Sequence, residues 1–254
     1  MLVAERHDKI IQLIHERGSV RVAELSELFK VTEETIRRDL DALEGKGELR
    51  RSHGGAVKAV EHLEKPYTER EIERMEEKRS IAQAALSLIA PGDQIAIDAS
   101  STTLCLADAL PNMPLKVVTN SVRVATGLAA KDKISVILSG GSLTARSMSL
   151  VGPTAEQSLE KYHVARAFLS CKGVHAQRGI SESNELQALV KQKMIHIADE
   201  VIVLADSSKF GVQDFTTICG VHDLSAVITD SAVSDEYAGM LETQGVRVIR
   251  AVSP

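Results

Sequence analysis

No stretch of this chain approaches the roughly 18 consecutive apolar residues that a membrane-spanning helix needs, so a transmembrane segment is not expected. The opening residues MLVAERHDK carry charge within the first turn, which is unlike a secretory signal, and a cytoplasmic location is expected. Cysteine is scarce. Cys105, Cys171 and Cys219 lie far apart in no metal-ligand spacing, which argues against a disulfide framework and a zinc site and fits a reducing compartment. No Gly-x-Gly-x-x-Gly follows the first β-rich run, so a dinucleotide-binding enzyme is disfavoured. No cofactor and no metal are expected.

What is present is 254 residues, 44% of them hydrophobic, enough for one sizeable core and a small satellite domain. The net charge of -5 looks wrong for a nucleic-acid partner until it is divided along the chain. Residues 1–58 hold 11 basic against 11 acidic side chains, so the whole deficit lies beyond them. Within the first part, Lys46, Arg50, Arg51 and Lys58 face Glu48 alone, a local positive patch.

Ile10, Ile11, Leu13 and Ile14 mark the buried face of a first helix that Gly18 ends. Val22, Leu25, Leu28 and Phe29 predict a second. After the turn Lys30-Val31-Thr32, with Thr32 placed as an N-cap, Ile36, Leu40 and Leu43 predict a third. This is a helix-turn-helix plan. The third helix turns Glu33, Glu34, Thr35, Arg37, Arg38 and Asp41 largely away from its apolar side, which suits a helix that enters the major groove by its N-terminal half. Taken alone, Arg37 and Arg38 read more simply as a solvated face, one of them paired to Asp39 or Asp41. The run Glu48 to Lys58 changes that balance, because it reads as two short strands around a glycine turn, a basic wing.

The stretch VAELSELFKVTEETIRRDLDALEGKGELRRSHGGAV, from Val22 to Val57, resembles the N-terminal signature of the DeoR family of bacterial transcription regulators. The resemblance implies that Thr35, Arg37 and Arg38 meet operator bases or phosphates, and that Arg50, Arg51 and His53 reach the DNA backbone or minor groove from the wing. Thr32 stands where the family usually has serine, which keeps the capping chemistry.

Charge dominates between residues 59 and 77, where a linker is expected, either a solvated connector or a segment that docks around Pro66 to Arg70 and transmits the state of the larger domain. From residue 78 to 254, helical patterns alternate with β-rich runs at 95–97, 116–118, 136–138, 167–169, 201–204, 226–228 and 246–249. That alternation predicts an α/β domain, Rossmann-like, with a mostly parallel sheet whose ligands bind beyond the carboxyl ends of the strands.

Five of those strand ends carry small, hydroxylated or cationic residues. The first is Asp98 with Ser100, Ser101, Thr102 and Thr103 leading into a helix expected near Leu104, a loop suited to an oxyanion or equally to a plain N-cap. The others hold Asn120, the pair Gly140 and Gly141, Lys172 with Gly173, and Asp206 to Lys209. Glycine admits close backbone approach, and Lys172 and Lys209 supply charge against phosphate, with Arg146 a weaker candidate. Either lysine alone reads as a surface charge.

These segments, with Leu150-Val151-Gly152, GISESNE (residues 179–185) and ADSSKFG, again resemble the DeoR family, in its sensor domain. What the resemblance implies is a fold similar to ribose-5-phosphate isomerase, and a homo-oligomer, dimer or tetramer, that represses operator DNA of a carbohydrate-use operon. A phosphorylated sugar at Asp98, Ser100 to Thr103, Asn120, Gly140, Gly141, Lys172, Gly173, Glu182 and Lys209 would release it. Ser100 replaces a common glycine and SCKGV a more glycine-rich segment, which alters the pocket lining. The GISESNE and LSCKGV segments resemble those of regulators of deoxysugar use, and that resemblance implies a rhamnulose-phosphate-like effector. The rival expectation is an isomerase- or deaminase-like enzyme with an accessory DNA-binding domain. It would need an acid or base among Asp98, Glu182, Glu185, Asp206 and His175, yet the paired acidic motif of an isomerase is missing.

Overall fold

A computed structural model of the chain describes residues 3–45, 48–52, 54–58 and 67–251. They belong to two compact units, Met1–Lys65 and Pro66–Pro254.

The first unit is a winged helix-turn-helix. Helix α1 (Val3–Arg17) is followed by strand β1 (Ser19–Arg21), helices α2 (Val22–Phe29) and α3 (Glu33–Gly45), and strands β2 (Leu49–Ser52) and β3 (Gly55–Lys58). Ile10 and Ile14 of α1, Leu25 of α2, and Ile36, Leu40 and Leu43 of α3 close one small core with Leu49 and Ala56. Most of the periodic apolar residues are thus buried, with Ile11, Leu13 and Phe29 packed at the edge of this core, but Leu28, expected on the buried face of α2, is 55% exposed. Lys30 ends α2 in the left-handed conformation, at φ 53°, and the Ser26 hydroxyl donates to Val31 O at 2.7 Å to tie the turn. The wing has a third strand that two-residue alternation could not reveal in so short a segment, giving the antiparallel order β1-β3-β2. Gly55 is obligatory in it: a Cβ there would lie 2.0 Å from Val20 O.

The second unit begins with α4 (Tyr67–Ile72) and α5 (Met75–Leu86), so the segment expected as a linker, 59–77, is helical from Tyr67 apart from a turn at Glu73 and Arg74, while residues 59–66 lie outside the described ones. There follow β4 (Gln94–Ile97), α6 (Ser101–Ala109), β5 (Leu115–Thr119), α7 (Val122–Leu128) and β6 (Ile134–Leu138). A hairpin of β7 (Ser142–Thr144) and β8 (Ser149–Val151) leads to α8 (Pro153–Leu159) and β9 (Val164–Leu169). Next come β10 (Gly173–His175), β11 (Gly179–Glu182), α9 (Glu185–His196) and β12 (Ala198–Leu204), and then one tight helical turn, Ser207–Lys209. The unit ends with β13 (Thr216–Cys219), β14 (Ala226–Thr229), α10 (Asp235–Glu242) and β15 (Arg247–Arg250).

Seven strands form one parallel sheet in the order β15-β14-β12-β9-β4-β5-β6. Successive strand residues belong to opposite cores, as a period of two demands. Ile95, Ile97, Val117, Phe168, Ile202 and Leu204 pack under α5, α6 and α7, whereas Ala96, Val118, Ala167, Leu169, Val201 and Val203 pack under α8, α9 and α10. Both faces are covered, which is why these strands read as unbroken apolar runs rather than alternating ones. The strand order reverses between β4 and β9. In a doubly wound sheet this reversal opens a crevice at the carboxyl ends of the two strands, where Asp98 and Ser170 stand.

Candidate functional site

In the first unit, Thr32 accepts from Thr35 N at 3.3 Å and its hydroxyl meets that of Thr35 at 2.9 Å, so it caps α3. Arg37 reaches back to Glu33 at 2.7 Å, and Arg38 lies 3.7 Å from Glu34. Their side chains remain 47% and 80% exposed. Exposed pairs of this kind contribute about 0 to 1 kcal/mol, so both arginines can be exchanged onto a phosphate or a base at small cost.

Neither arginine takes Asp39. That carboxylate is buried against α1, accepting from Arg6 Nε at 2.5 Å and Arg6 Nη2 at 3.0 Å, with His7 Nε2 also at 3.0 Å. Burial works against its charge, but these hydrogen bonds and the Arg6 guanidinium hold the carboxyl below its usual range. Asp39 therefore locks the third helix on the first and leaves Arg37 and Arg38 pointing elsewhere. Arg51 is anchored too, its Nε 3.0 Å from Asp41 and its backbone N donating to Glu44 at 2.7 Å, which ties the wing to α3. His53 and the Arg50 side chain lie outside the described residues.

In the second unit, the sheet's reversal point holds a buried ionic cluster. Asp98 accepts from Ser100 N at 3.2 Å, Thr103 Oγ1 at 2.7 Å and Ser170 N at 3.1 Å. Lys191 of α9 places its ammonium 3.2 Å from Asp98, hydrogen-bonds Glu182, and donates to Ser170 O at 2.7 Å. All three charged residues are at most 5% exposed. Burial disfavours the Glu182 carboxylate, yet Lys191, then Lys172, holds its carboxyl below the ordinary value; burial likewise opposes the Lys191 charge, and Glu182 and Asp98 raise its pKa nevertheless. Burial pushes the neighbouring Cys171 thiol up to about 12, so it is no nucleophile at neutral pH.

The helix after β4 begins at Ser101, three residues ahead of the expected Leu104, because Ser100 is its N-cap, its hydroxyl accepting from Thr103 N at 3.1 Å. Ser100 and Thr103 thus spend their hydroxyls on the cap and on Asp98. Among the described residues, the Ser101 and Thr102 hydroxyls and backbone N–H groups have no partner, at the positive end of a nine-residue helix.

Asn120 uses its amide on Leu150 O at 3.1 Å, and its buried side-chain oxygen has no partner. Gly141 is required by its own chain, at φ 107° with a hypothetical Cβ 2.7 Å from Val151 O. Gly173 is likewise pressed on Val212 O, at 2.3 Å from such a Cβ. Their closeness serves the hairpin and the small sheet. Gly140, also at positive φ, leaves open space where its side chain would be. Lys209 closes the turn after β12, half-buried, with no ion pair among the described residues. Asp206 caps that turn through Ser208 N at 3.1 Å. The geometry brings Asp98, Ser100, Thr103 and Glu182 into one bonded cluster; Lys172 acts on it electrostatically through Glu182. The residues that sequence reasoning missed are Lys191, Ser170, Arg6 and His7. Among the described residues no group of three or more His, Cys, Asp or Glu could hold a metal, and no helix is long and apolar enough to cross a membrane.

Comparison with known proteins gives a consistent answer for both units. Residues 6–61 match the DeoR-like helix-turn-helix domain, and residues 73–231 match the DeoR C terminal sensor domain. An HTH-type transcriptional regulator of Bacillus subtilis (strain 168), YulB, is 48% identical over 249 residues, covering 98% of this chain and 96% of that protein. The lactose phosphotransferase system repressor of Streptococcus mutans is 36% identical over 236 residues, covering 91% of this chain and 94% of that one. Among solved structures, ribose 5-phosphate isomerase A from Methanocaldococcus jannaschii overlaps 52% of this chain and 53% of its own, at a TM-score of 0.39 and 18% identity.

Proposed function

This chain belongs to the DeoR family of transcriptional regulators, and from that premise we propose that it represses a carbohydrate-use operon and leaves its operator when a phosphorylated sugar occupies the sheet's reversal point. Arg37, Arg38 and Thr35 contact the operator from α3, with Arg50, Arg51 and His53 supporting from the wing. Two such helices in a homo-oligomer would fall in successive major grooves.

One observation carries the sensing half. At the carboxyl edge of the sheet the anionic groups are neutralised or hydrogen-bonded internally, while Ser101 and Thr102 present unspent N–H and hydroxyl donors and Lys209 a cation without an ion pair. Donors without acceptors fit an oxyanion. The sugar portion would then lie toward Lys172 and Gly140.

The same inventory weighs against an isomerase or deaminase. Asp98 and Glu182 spend their oxygens on Lys191 and on N–H or O–H donors within the protein, and Asp206 on Ser208, so none of these three is free to reach a proton on carbon. The relatives named above are regulators as well.

The test is a thermal-shift screen of the full chain against inorganic phosphate, fructose 1-phosphate, tagatose 6-phosphate, glycerol 3-phosphate and rhamnulose 1-phosphate, because a ligand of the folded state alone raises its melting temperature. A sugar phosphate that stabilises the protein and displaces it from a DNA duplex recovered by in vitro selection is the expected result. Lys209→Ala should keep DNA binding and lose that response. Arg37→Ala and Arg38→Ala should each weaken DNA binding, by about 1 to 3 kcal/mol where the contact is bidentate to a base. Turnover of any sugar phosphate, or unaltered DNA affinity in both arginine variants, would overturn the assignment.

A further inference from the structure

The two helices that open the sensor domain are separated by Glu73 and Arg74, and Arg74 adopts the left-handed conformation at φ 50°, ψ 44°. Arginine rarely stays there, because its Cβ crowds the backbone. Return of this one residue to the right-handed region would let α4 run into α5 as a single helix. In that helix the carbonyls of Arg70 and Glu73 would accept from the N–H groups four residues on. At the interruption the buried ammonium of Lys78 hydrogen-bonds both Arg70 O and Glu73 O.

A second set of contacts holds the interruption. Arg74 Nε lies 3.6 Å from Asp206 and its Nη1 3.5 Å from the Ser207 hydroxyl, with Glu77 at 3.3 Å. Asp206 and Ser207 belong to the turn that carries Lys209. On the far end of α4, Tyr67 N donates to Arg146 O at 2.9 Å, in the hairpin that follows Gly140 and Gly141, and its ring is buried under the Arg123 guanidinium from the first turn of α7. The corner therefore contacts two of the loops that rim the proposed ligand site and the first turn of the helix after Asn120. It is also the first described segment of the sensor domain after the DNA-binding unit.

We propose that residues 67–78 are a two-state corner, interrupted or continuous, that reports occupancy of the sensor site to the chain leading to the DNA-binding unit, with Arg74 as the latch that reads the position of the Asp206–Lys209 turn. This rests on the ligand reading above. An anion drawn to Lys209 shifts that turn, the Arg74 contacts loosen, and the left-handed residue loses what holds it. A change at the start of α4 is then transmitted along the backbone.

Two variants separate conformation from charge. Arg74→Ala removes the latch and favours a continuous helix, whereas Arg74→Gly removes the latch but tolerates the left-handed geometry. Both full-length proteins are measured without ligand, for affinity to the selected DNA duplex and for hydrogen exchange of residues 67–78. Inorganic phosphate is then added as the anion probe. Arg74→Ala should shift DNA affinity by about fivefold or more and slow exchange at Glu73 to Lys78, and Arg74→Gly should do less of the first and none of the second. Wild-type affinity and wild-type exchange in Arg74→Ala would overturn the corner, whatever phosphate does. Should phosphate protect neither residues 101–103 nor 207–211 while Arg74→Ala still changes both readouts, the ligand reading fails and the corner stands.

Discussion

Replacing Lys191 by methionine keeps the length of the side chain and removes the cation that bridges two buried carboxylates. Asp98 and Glu182 are 1% and 3% exposed, and both hydrogen-bond or closely approach the Lys191 ammonium in the native protein. Two like charges cannot both stay ionised so close together out of water, so one carboxyl takes up a proton. At pH 7 that uptake costs the distance from an ordinary carboxyl near 4.3, roughly 2.7 pH units, or about 3.7 kcal/mol. The figure agrees with the roughly 3 to 5 kcal/mol lost when one partner of a buried ion pair is deleted. In a domain of this size about 3.7 kcal/mol corresponds to a melting temperature lower by roughly 7 to 15 °C. The sign with pH follows from both proteins. Wild-type Glu182 is held below its ordinary value, so its contribution is present above that value and fades as pH falls through the lowered one. In the variant the shared carboxyl is raised, so the penalty is full at neutral pH and vanishes below the ordinary value. The gap between the two proteins must therefore shrink on acidification, by about 1.4 kcal/mol per pH unit between 7 and 5. Thermal unfolding followed by circular dichroism at several pH values measures it. A gap under about 0.5 kcal/mol at pH 7, or one that does not change with pH, would refute the reasoning, and Lys191→Met with Glu182→Gln should recover part of the loss.

Two further outcomes follow from single contacts. Asp39→Ala strands Arg6 in a buried position and should destabilise the winged helix-turn-helix by roughly 3 to 5 kcal/mol, read by urea unfolding; DNA affinity would fall with it, although Asp39 touches no DNA in the proposed arrangement. Because the Asp39 carboxyl is held low, its contribution is full above the ordinary carboxyl value and fades as pH falls through the lowered one, so the stability gap between the wild type and Asp39→Ala should narrow in acid. Gly141→Ala places a Cβ 2.7 Å from Val151 O at φ 107°, and a loss of about 1 kcal/mol or more is expected in thermal unfolding, whereas Gly140→Ala, with open space beside it, should cost less.

The parts of this protein that were legible in its sequence are those where one residue type has one physical use. Seven apolar runs became seven strands because a parallel sheet covered on both faces leaves no polar alternative along them. Ile36, Leu40 and Leu43 turned Arg37 and Arg38 outward by helical period alone. The hydroxyl run after β4 was ambiguous for the opposite reason, since an N-cap and an oxyanion loop ask for the same residues; Ser100 and Thr103 went to the cap and to Asp98, leaving Ser101 and Thr102. Lys191 could not be read at all. In ELQALVKQKMIH it is one of two lysines on a helix of mixed polarity, and nothing local separates it from Lys193, which pairs with Glu160 at the surface. What distinguishes them is where β4 and β9 end. A strand order that reverses between those two sets Asp98 beside Ser170, and β11 brings in Glu182, creating a buried negative site that a cation on the facing side of α9 bridges. Once the seven strands and their reversal are inferred, Asp98 demands a buried partner, and the candidates narrow to the lysine of α9 on the side that carries Gln187, Ala188 and Met194 into the core. Arg6 and Asp39 obey the same logic across 33 residues, with the helix-turn-helix in place of the sheet.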